Sequence, residues 1–550
     1  MNNYEVIIVG AGPTGLIAAN LLGSYNIKTL VIEKNPSTSQ IPKAIVIDDE
    51  GMRICQSVGL AEAVEKIITS GGGAQYFTDV NTKPFAIVKP PYVGAYGYSA
   101  RNKFLQSEFE DVLLKGVYRF PNIDVLFNTS LVCFEQSEHY VKIKAINSIT
   151  HEEMAFTAEY LLGCDGGRSK VRKNLGIKLE DIGNKKTGSS FEEPWIIVDL
   201  KNDTLPSRHT SFFCNPPRPS MHAATGAGQR RYEFMLLDGE DEDELLKDEN
   251  LARIMAPYVD YKPENLVKKA VVRFNALVAE KFQEGRIILL GDSIHMTPPF
   301  AGQGLNSGLR DAYNMCWKVV SVLKGLLDPV ILDSYEDERR DHIKSMIKLA
   351  VTMGNFILTT STKRKLFRDA AFLLMSVVPP LKQYVTEMRF KPKPICTEGL
   401  FIDVDPDRKS LVGEMIQQPR VLSEDTSFKL LDHVLGPNFS LVKVGKPEEI
   451  QFPPLAKGIW ANLNVKKVSA VPFDYLPHSQ DGEEVFTDVS ELFKDFQNKF
   501  ILIRPDRYIA GIFSEEEFDS FTKKLSEVYK PGNGKEKETI SQPTEVANYS

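Results

Sequence analysis

Three observations predict a multidomain α/β protein. Gly10-Ala11-Gly12-Pro13-Thr14-Gly15 lies between an apolar run, Val6-Ile7-Ile8-Val9, and a helix-compatible stretch at 16–22. A second apolar run, Lys28-Thr29-Leu30-Val31-Ile32, ends in Glu33, 18 residues past Gly15. The third observation is length: 550 residues exceed what one hydrophobic core holds, so two or three domains are expected.

The first element reads as strand, glycine turn, helix. Gly10 permits the tight turn, Gly12 lets backbone approach a pyrophosphate, and Gly15 allows the helix to pack on the strand. Pro13 and Thr14 open a helix whose free N–H groups and positive dipole end suit an anion. Glu33 stands where an acid accepts both hydroxyls of an adenosine ribose. Together these predict a Rossmann-like dinucleotide site.

Composition narrows the class. Hydrophobic content of 42% and charged content of 25% are ordinary for a folded protein, and a net charge of −7 argues against a nucleic-acid or anionic-membrane partner. No apolar run approaches the roughly 18–20 residues needed to span a bilayer. Residues 1–5 lead straight into the first strand, which leaves no signal peptide, and a cytoplasmic location is expected. The six cysteines show no CxxC and no metal-ligand spacing, so free thiols and no metal site are expected.

Along the chain, residues 1–180 read as the first part of the nucleotide-binding domain, with helices near 48–58 and 103–118 and antiparallel strands between 123 and 162. Residues 181–280 are strand-rich and read as a separate mixed sheet forming a pocket wall. Residues 281–395 return to the first domain and carry long helical patterns. From 396 to 530 a small α/β module follows, and 531–550 read as a disordered tail.

Two further motifs carry chemistry. In Leu161-Leu162-Gly163-Cys164-Asp165-Gly166-Gly167-Arg168 a strand ends at an Asp-Gly turn before a helix; alone, this is equally an ordinary turn with surface arginines. In the run from Gly291 to Asn306, Asp292 lies just beyond a buried strand, where it can accept hydrogen bonds from a sugar alcohol. Pro298-Pro299 makes a rigid turn without N–H groups, and Gly302-Gln303-Gly304 presents bare amides at the next helix. His295 reads as a packing or positioning residue.

These three motifs, in this order and spacing, resemble the class A flavoprotein aromatic hydroxylases, with the para-hydroxybenzoate hydroxylase fold. Residues 45–50, 298–313 and Arg504-Pro505-Asp506-Arg507-Tyr508 are most similar to the 3-(3-hydroxyphenyl)propanoate hydroxylase branch. The resemblance covers residues 1 to about 530 and implies a Rossmann-like FAD-binding domain interleaved with a mixed β-sheet substrate domain, followed by a thioredoxin-like α/β domain. That last domain has no thiol chemistry, since the final cysteine is Cys396.

The resemblance implies one FAD, with NADH or NADPH and O₂ as co-substrates, a small aromatic substrate, and a homodimer. By carry-over, Gly10, Gly12, Pro13, Thr14 and Gly15 would hold the FAD pyrophosphate, Glu33 the ribose, Gln106 the flavin, and Asp292 the ribityl chain. Asp165 and Arg168 would serve FAD and NAD(P)H, while Pro299, Gly302, Gly304, Leu305 and Asn306 would line the flavin ring. Pro298, Pro299 and Gly302 would shape the reacting site, where a flavin C4a-hydroperoxide oxygenates the ring. One departure is Lys43, where the family has arginine; lysine keeps the charge but loses the planar fork. His209, His222 and tyrosines are candidates for a pocket base, and Arg208, Arg218, Arg230 and Arg231 for pairing with a substrate carboxylate. Oxygenation of an indole or polyketide ring, Baeyer–Villiger insertion, and an FAD-binding scaffold for a protein partner remain as alternatives.

Overall fold

A computed structural model describes residues 2–39, 44–183, 192–205, 207–215, 217–226, 228–359, 362–386, 391–403, 410–446, 450–476, 478 and 482–532. Pro42, Lys43 and most of the proposed tail, 533–550, lie outside the described residues.

The apolar run at the N-terminus forms a strand, Val6–Val9, at the centre of a six-stranded sheet. It pairs in parallel with Thr29–Ile32 on one side and Tyr160–Gly163 on the other. Ile287–Leu289 extends the parallel set, and Gln283–Glu284 closes that edge antiparallel. Every residue of the three inner strands is buried, as continuous apolar strands between covering layers require. Ile123–Leu126, expected in an antiparallel unit, instead joins this sheet in parallel beside Thr29–Ile32. The antiparallel meander begins only at Thr129–Gln136 and continues through Val141–Asn147 and Glu153–Ala158. The local pattern at 123–126 carried no information about which neighbour the strand would choose.

The second sheet has seven strands in the order Leu266–Asn275, Glu192–Leu200, Gln229–Met235, Ser220–Gly226, Thr210–Phe213, Ala74–Phe77 and Ala86–Val88. Its last two strands come from the N-terminal part of the chain, through parallel pairing of Thr210 with Ala74. The wall is therefore assembled from segments well over a hundred residues apart.

Long helices Gly304–Leu323 and Ser334–Ile357 follow the central sheet. Beyond them, Ser440–Val444 and Lys466–Val471 pair in parallel across the helix Gly458–Leu463. Lys499–Ile503 and Ile509–Ser514 then add antiparallel, and Phe518–Tyr529 closes the unit. With Glu484–Thr487 pairing in parallel beside Lys466–Val471, the order is β-α-β-β-β-β-α, the expected thioredoxin-like arrangement enlarged within a seven-stranded sheet. Among the described residues no helix is long and apolar enough to cross a membrane.

Candidate active site

The three motifs converge at the C-terminal edge of the central sheet. Gly10 has φ +108°, and a Cβ there would lie 2.5 Å from the Cys164 carbonyl oxygen, so only glycine fits between the first and second motifs. A Cβ on Gly15 would stand 2.0 Å from the Gly10 oxygen. Thr14 packs beneath the third motif, 2.6 Å from where a Gly291 Cβ would be. Arg172 fastens the second motif to the third by donating to the Ser293 carbonyl at 2.7 Å, and the Ser293 hydroxyl donates to the Gly163 carbonyl at 2.7 Å.

Gly12 differs from its neighbours. A Cβ there, or on Gly166 or Gly304, would meet nothing within 4 Å, so these three glycines border open space. Two helices start there, Pro13–Ser24 after Gly12 and Gly304–Leu323 after Gln303, and neither N-terminus has a side-chain cap. Asp165 caps the helix Lys170–Asn174 with Oδ2, accepting from the Lys170 and Val171 amides, while its buried Oδ1 has no hydrogen-bond partner among the described residues. Glu33 accepts from the Ala11 amide at 2.9 Å and from Asn35, which fixes its carboxylate beside the glycine turn. Bare helix ends, a glycine edge and a buried acceptor in want of a donor fit a pyrophosphate with its ribose and polyol.

At the other end of the cleft, Pro298 leads into a 3₁₀ turn, Pro299–Ala301, which ends at Gly302 in the left-handed region, φ +63°. Asn306 donates to the Gly302 carbonyl at 3.0 Å and accepts from the Asp48 amide at 3.1 Å. Its amide thus holds the turn against the 46–48 segment. Gln106 accepts from the Ala44 amide at 2.8 Å and donates to Glu110 at 2.7 Å. His295 is fully buried and bonded to Asp311 at 2.8 Å, and Asp311 also receives Arg339 and the Gly291 amide. It is a positioning residue, as expected. Asp292 and Leu305 are partly exposed along the cleft. Arg168 is exposed and makes no hydrogen bond or ion pair among the described residues.

Where the second sheet faces the Pro299–Ala301 turn, Ala74, Tyr76, Val88, Arg101, Phe212, Phe300, Ala301 and Met353 line a small cavity. Trp195 and Phe274, from the second sheet, pack edge-on to Phe300 with centroids 6.0 and 6.2 Å away. The strand-rich wall thereby meets the Pro299–Ala301 turn. Arg101, Tyr76, Phe212 and Met353 were invisible to motif reading, because isolated residues from four segments converge only on folding. Three of the arginines suggested for a substrate carboxylate are already paired within the protein: Arg218 with Glu240, Arg230 with Asp203, and Arg231 with Asp199. Arg208 is exposed. Nor do His209 and His222 line the cavity. His222 packs between Phe213 and Tyr232 against Arg230, and burial pushes its pKa down to about 3, which keeps it neutral.

The family model described as FAD binding domain matches residues 3–350, and that of the HcaD C-terminal domain matches 413–528. The chain belongs to this FAD-binding family of flavoprotein aromatic hydroxylases. It is 34% identical to the 3-(3-hydroxy-phenyl)propionate/3-hydroxycinnamic acid hydroxylase of Shigella sonnei (strain Ss046), over 96% of this chain and 95% of that protein. The same figures hold for the protein of that name from Escherichia coli (strain K12). Among solved structures, the flavin-dependent monooxygenase PieE in complex with FAD and substrate superposes with a TM-score of 0.78 at 19% identity, covering 96% of this chain and 99% of that one. Aklavinone-11 hydroxylase with FAD and aklavinone gives 0.76 at 20%, again over 96% and 99%. Those likenesses extend the shared fold through both sheets and the C-terminal unit. FAD is the cofactor of this family, and an aromatic ring its substrate.

Proposed function

We propose that this hydroxylase oxygenates a single-ring phenol using NAD(P)H and O₂, with the ring in the cavity beneath Phe300 and Ala301. The observation that carries this reading is the shared wall. The aromatic cavity is bounded by the very turn that ends at Gly302, where the flavin ring would lie. Its lining, mostly aromatic and apolar with one arginine, suits an aromatic ring that carries a polar substituent.

In this reading the Gly12 edge and the helix beginning at Pro13 hold the pyrophosphate, with Thr14 as packing and Glu33 at the ribose. Asp292 serves the ribityl chain, Gln106 orders the Ala44 backbone beside the ring, and the Gly302–Gly304 amides face it. Leu305 adds apolar surface, and Asn306 acts through the turn. FAD, when bound, carries electrons from the nicotinamide to O₂ and delivers one oxygen atom to the substrate. The protein's part is to keep water out and orient the ring. Pro298 and Pro299 contribute wall without N–H donors, and the Trp195–Phe274–Phe300 cluster closes it with apolar surface. Burial raises the Tyr76 phenol's pKa, so Tyr76 keeps its proton and is able to donate to a substrate phenol oxygen. A cytoplasmic, homodimeric enzyme accords with the family likeness.

The test is a panel of substituted phenols added to the FAD-loaded protein. One class should accelerate NAD(P)H oxidation and yield product heavier by one oxygen atom. Acceleration without that mass gain, or no response to any phenol, overturns the reading.

A further inference from the structure

We propose that Arg101 is the anchor for a carboxylate on the aromatic substrate, an inference that rests on the hydroxylase reading above. Arg101 lines the cavity with Tyr76, Phe212, Phe300 and Met353. Among the described residues its buried Nε has no hydrogen-bond partner, and Nη2 donates to the Thr210 hydroxyl at 3.3 Å. No carboxylate pairs with it among the described residues.

Arg101 as a whole is partly buried. The deeper Arg53, Arg230, Arg231, Arg310, Arg339 and Arg504 each meet a carboxylate within 2.9 Å, while the buried Arg172 is held by the Ser293 and Gly167 carbonyls. A partly desolvated cation without a counter-ion is disfavoured, and such a cost persists where a ligand supplies the missing charge. Nearby, Lys103 is also buried and also lacks an acid, since its ammonium donates to the Arg208 carbonyl. Burial, with Arg101 and Arg230 beside it, pulls the Lys103 pKa down to about 7. The same burial lowers that of Arg101, with only the Tyr76 phenol acting against it. The charge facing this end of the cavity is therefore positive.

Geometry then sets the ligand's orientation. Tyr76 and Phe212 stack with centroids 5.2 Å apart and planes 11° from parallel, giving a flat apolar platform. Arg101 directly precedes the strand Asn102–Lys103, which pairs with Val46–Ile47. Val46 in turn lies 3.5 Å from where a Gly302 Cβ would be. Anchor and turn thus belong to one small framework. A ring held at its acid end by the Arg101 fork presents its other end to Phe300, Ala301 and the turn. The guanidinium's planar fork matches a carboxylate in two parallel hydrogen bonds, which neither an amide nor an alcohol reproduces.

The experiment compares 3-(3-hydroxyphenyl)propanoate and 3-hydroxycinnamate with their neutral amides on the FAD-loaded enzyme, wild type and Arg101→Gln. The wild type should favour acid over amide by roughly 100-fold in kcat/KM, the scale of a buried charge-assisted pair. Arg101→Gln should collapse that ratio to within about threefold, mostly through KM, and should raise the Kd of the acid by calorimetry roughly 30-fold. Its melting temperature should hold or rise, because a partly buried charge with no acidic partner among the described residues is being removed. Arg101→Lys, which keeps the cation without the fork, should retain part of the acid preference. A wild type indifferent to the carboxylate, a fall in melting temperature with the acid preference intact, or a rise in KM for NAD(P)H in place of the acid would each overturn the assignment while leaving the hydroxylase reading standing. If neither acids nor amides stimulate NAD(P)H oxidation, the hydroxylase reading itself falls, and this inference with it.

Discussion

Buried charge is handled in opposite ways in two regions of the molecule. Where the C-terminal unit meets the helices of the FAD domain, every guanidinium named in the seam is answered by acids. Arg504 reaches Glu338 at 2.7 Å and Asp506 at 2.5 Å, and Lys318 meets Glu338 at 3.0 Å, all of them essentially inaccessible to solvent. Arg53 forks onto Asp432 with bonds of 2.6 and 2.8 Å, and Arg507 approaches the same acid at 3.3 Å. At the cavity between Tyr76 and Phe300, Arg101, which lines it, and the neighbouring Lys103 have no acid among the described residues. A closed network makes an interface specific and rigid; an open one leaves a charge for a ligand to answer. The C-terminal unit is thereby tied to the helices of the FAD domain by buried ion pairs.

The comparison is broken or sharpened by removing charges from each side. Arg504→Met takes the paired guanidinium from Asp506 and one of the two cations from Glu338, and should cost about 3–5 kcal/mol in denaturant unfolding. A loss under about 1 kcal/mol would mean that the seam is not held by its charges. Arg53→Met should cost less, roughly 2–3 kcal/mol, because Arg507 still faces Asp432. Acid should weaken the seam progressively. The Arg504 and Lys318 charges hold Glu338 well below its ordinary 4.5, so its contribution is full above that pH and fades as pH falls toward the depressed value. Glu338→Gln should flatten the acid limb of stability against pH relative to wild type, and an unchanged limb would contradict the assignment. The smallest effect belongs to the cavity. Lys103 titrates near 7 when folded and at its ordinary 10.5 when unfolded, so the unfolded chain binds the extra proton between those values. Stability should rise with pH across that window, and Lys103→Met should remove that part of the rise. A slope identical in both proteins would show that Lys103 is not desolvated.

Sequence-level legibility followed the same division. Motifs that depend on neighbouring residues were readable: the glycine turn, Glu33 at the end of its strand, the Asp165 turn and the Pro298–Gly302 turn all stand where local pattern put them. Asn306 shows the limit. Its place in the third motif is legible, but the work of its side-chain amide, holding the Gly302 carbonyl and the Asp48 backbone, is defined only once residues 258 positions apart meet. The arginines suggested from the lid failed for a related reason, since Asp199, Asp203 and Glu240 had already claimed three of them.

The chain's order of residues was enough to determine the class of protein and the nucleotide cradle, because tight turns, parallel strands and helix starts are settled by contacts a few residues apart. Which sheet Ile123–Leu126 joins, where Ala74–Phe77 docks, and which buried cation is left unanswered were decided only in three dimensions. Pairing and neutralisation depend on partners that compete across the whole fold, and no local pattern records who wins.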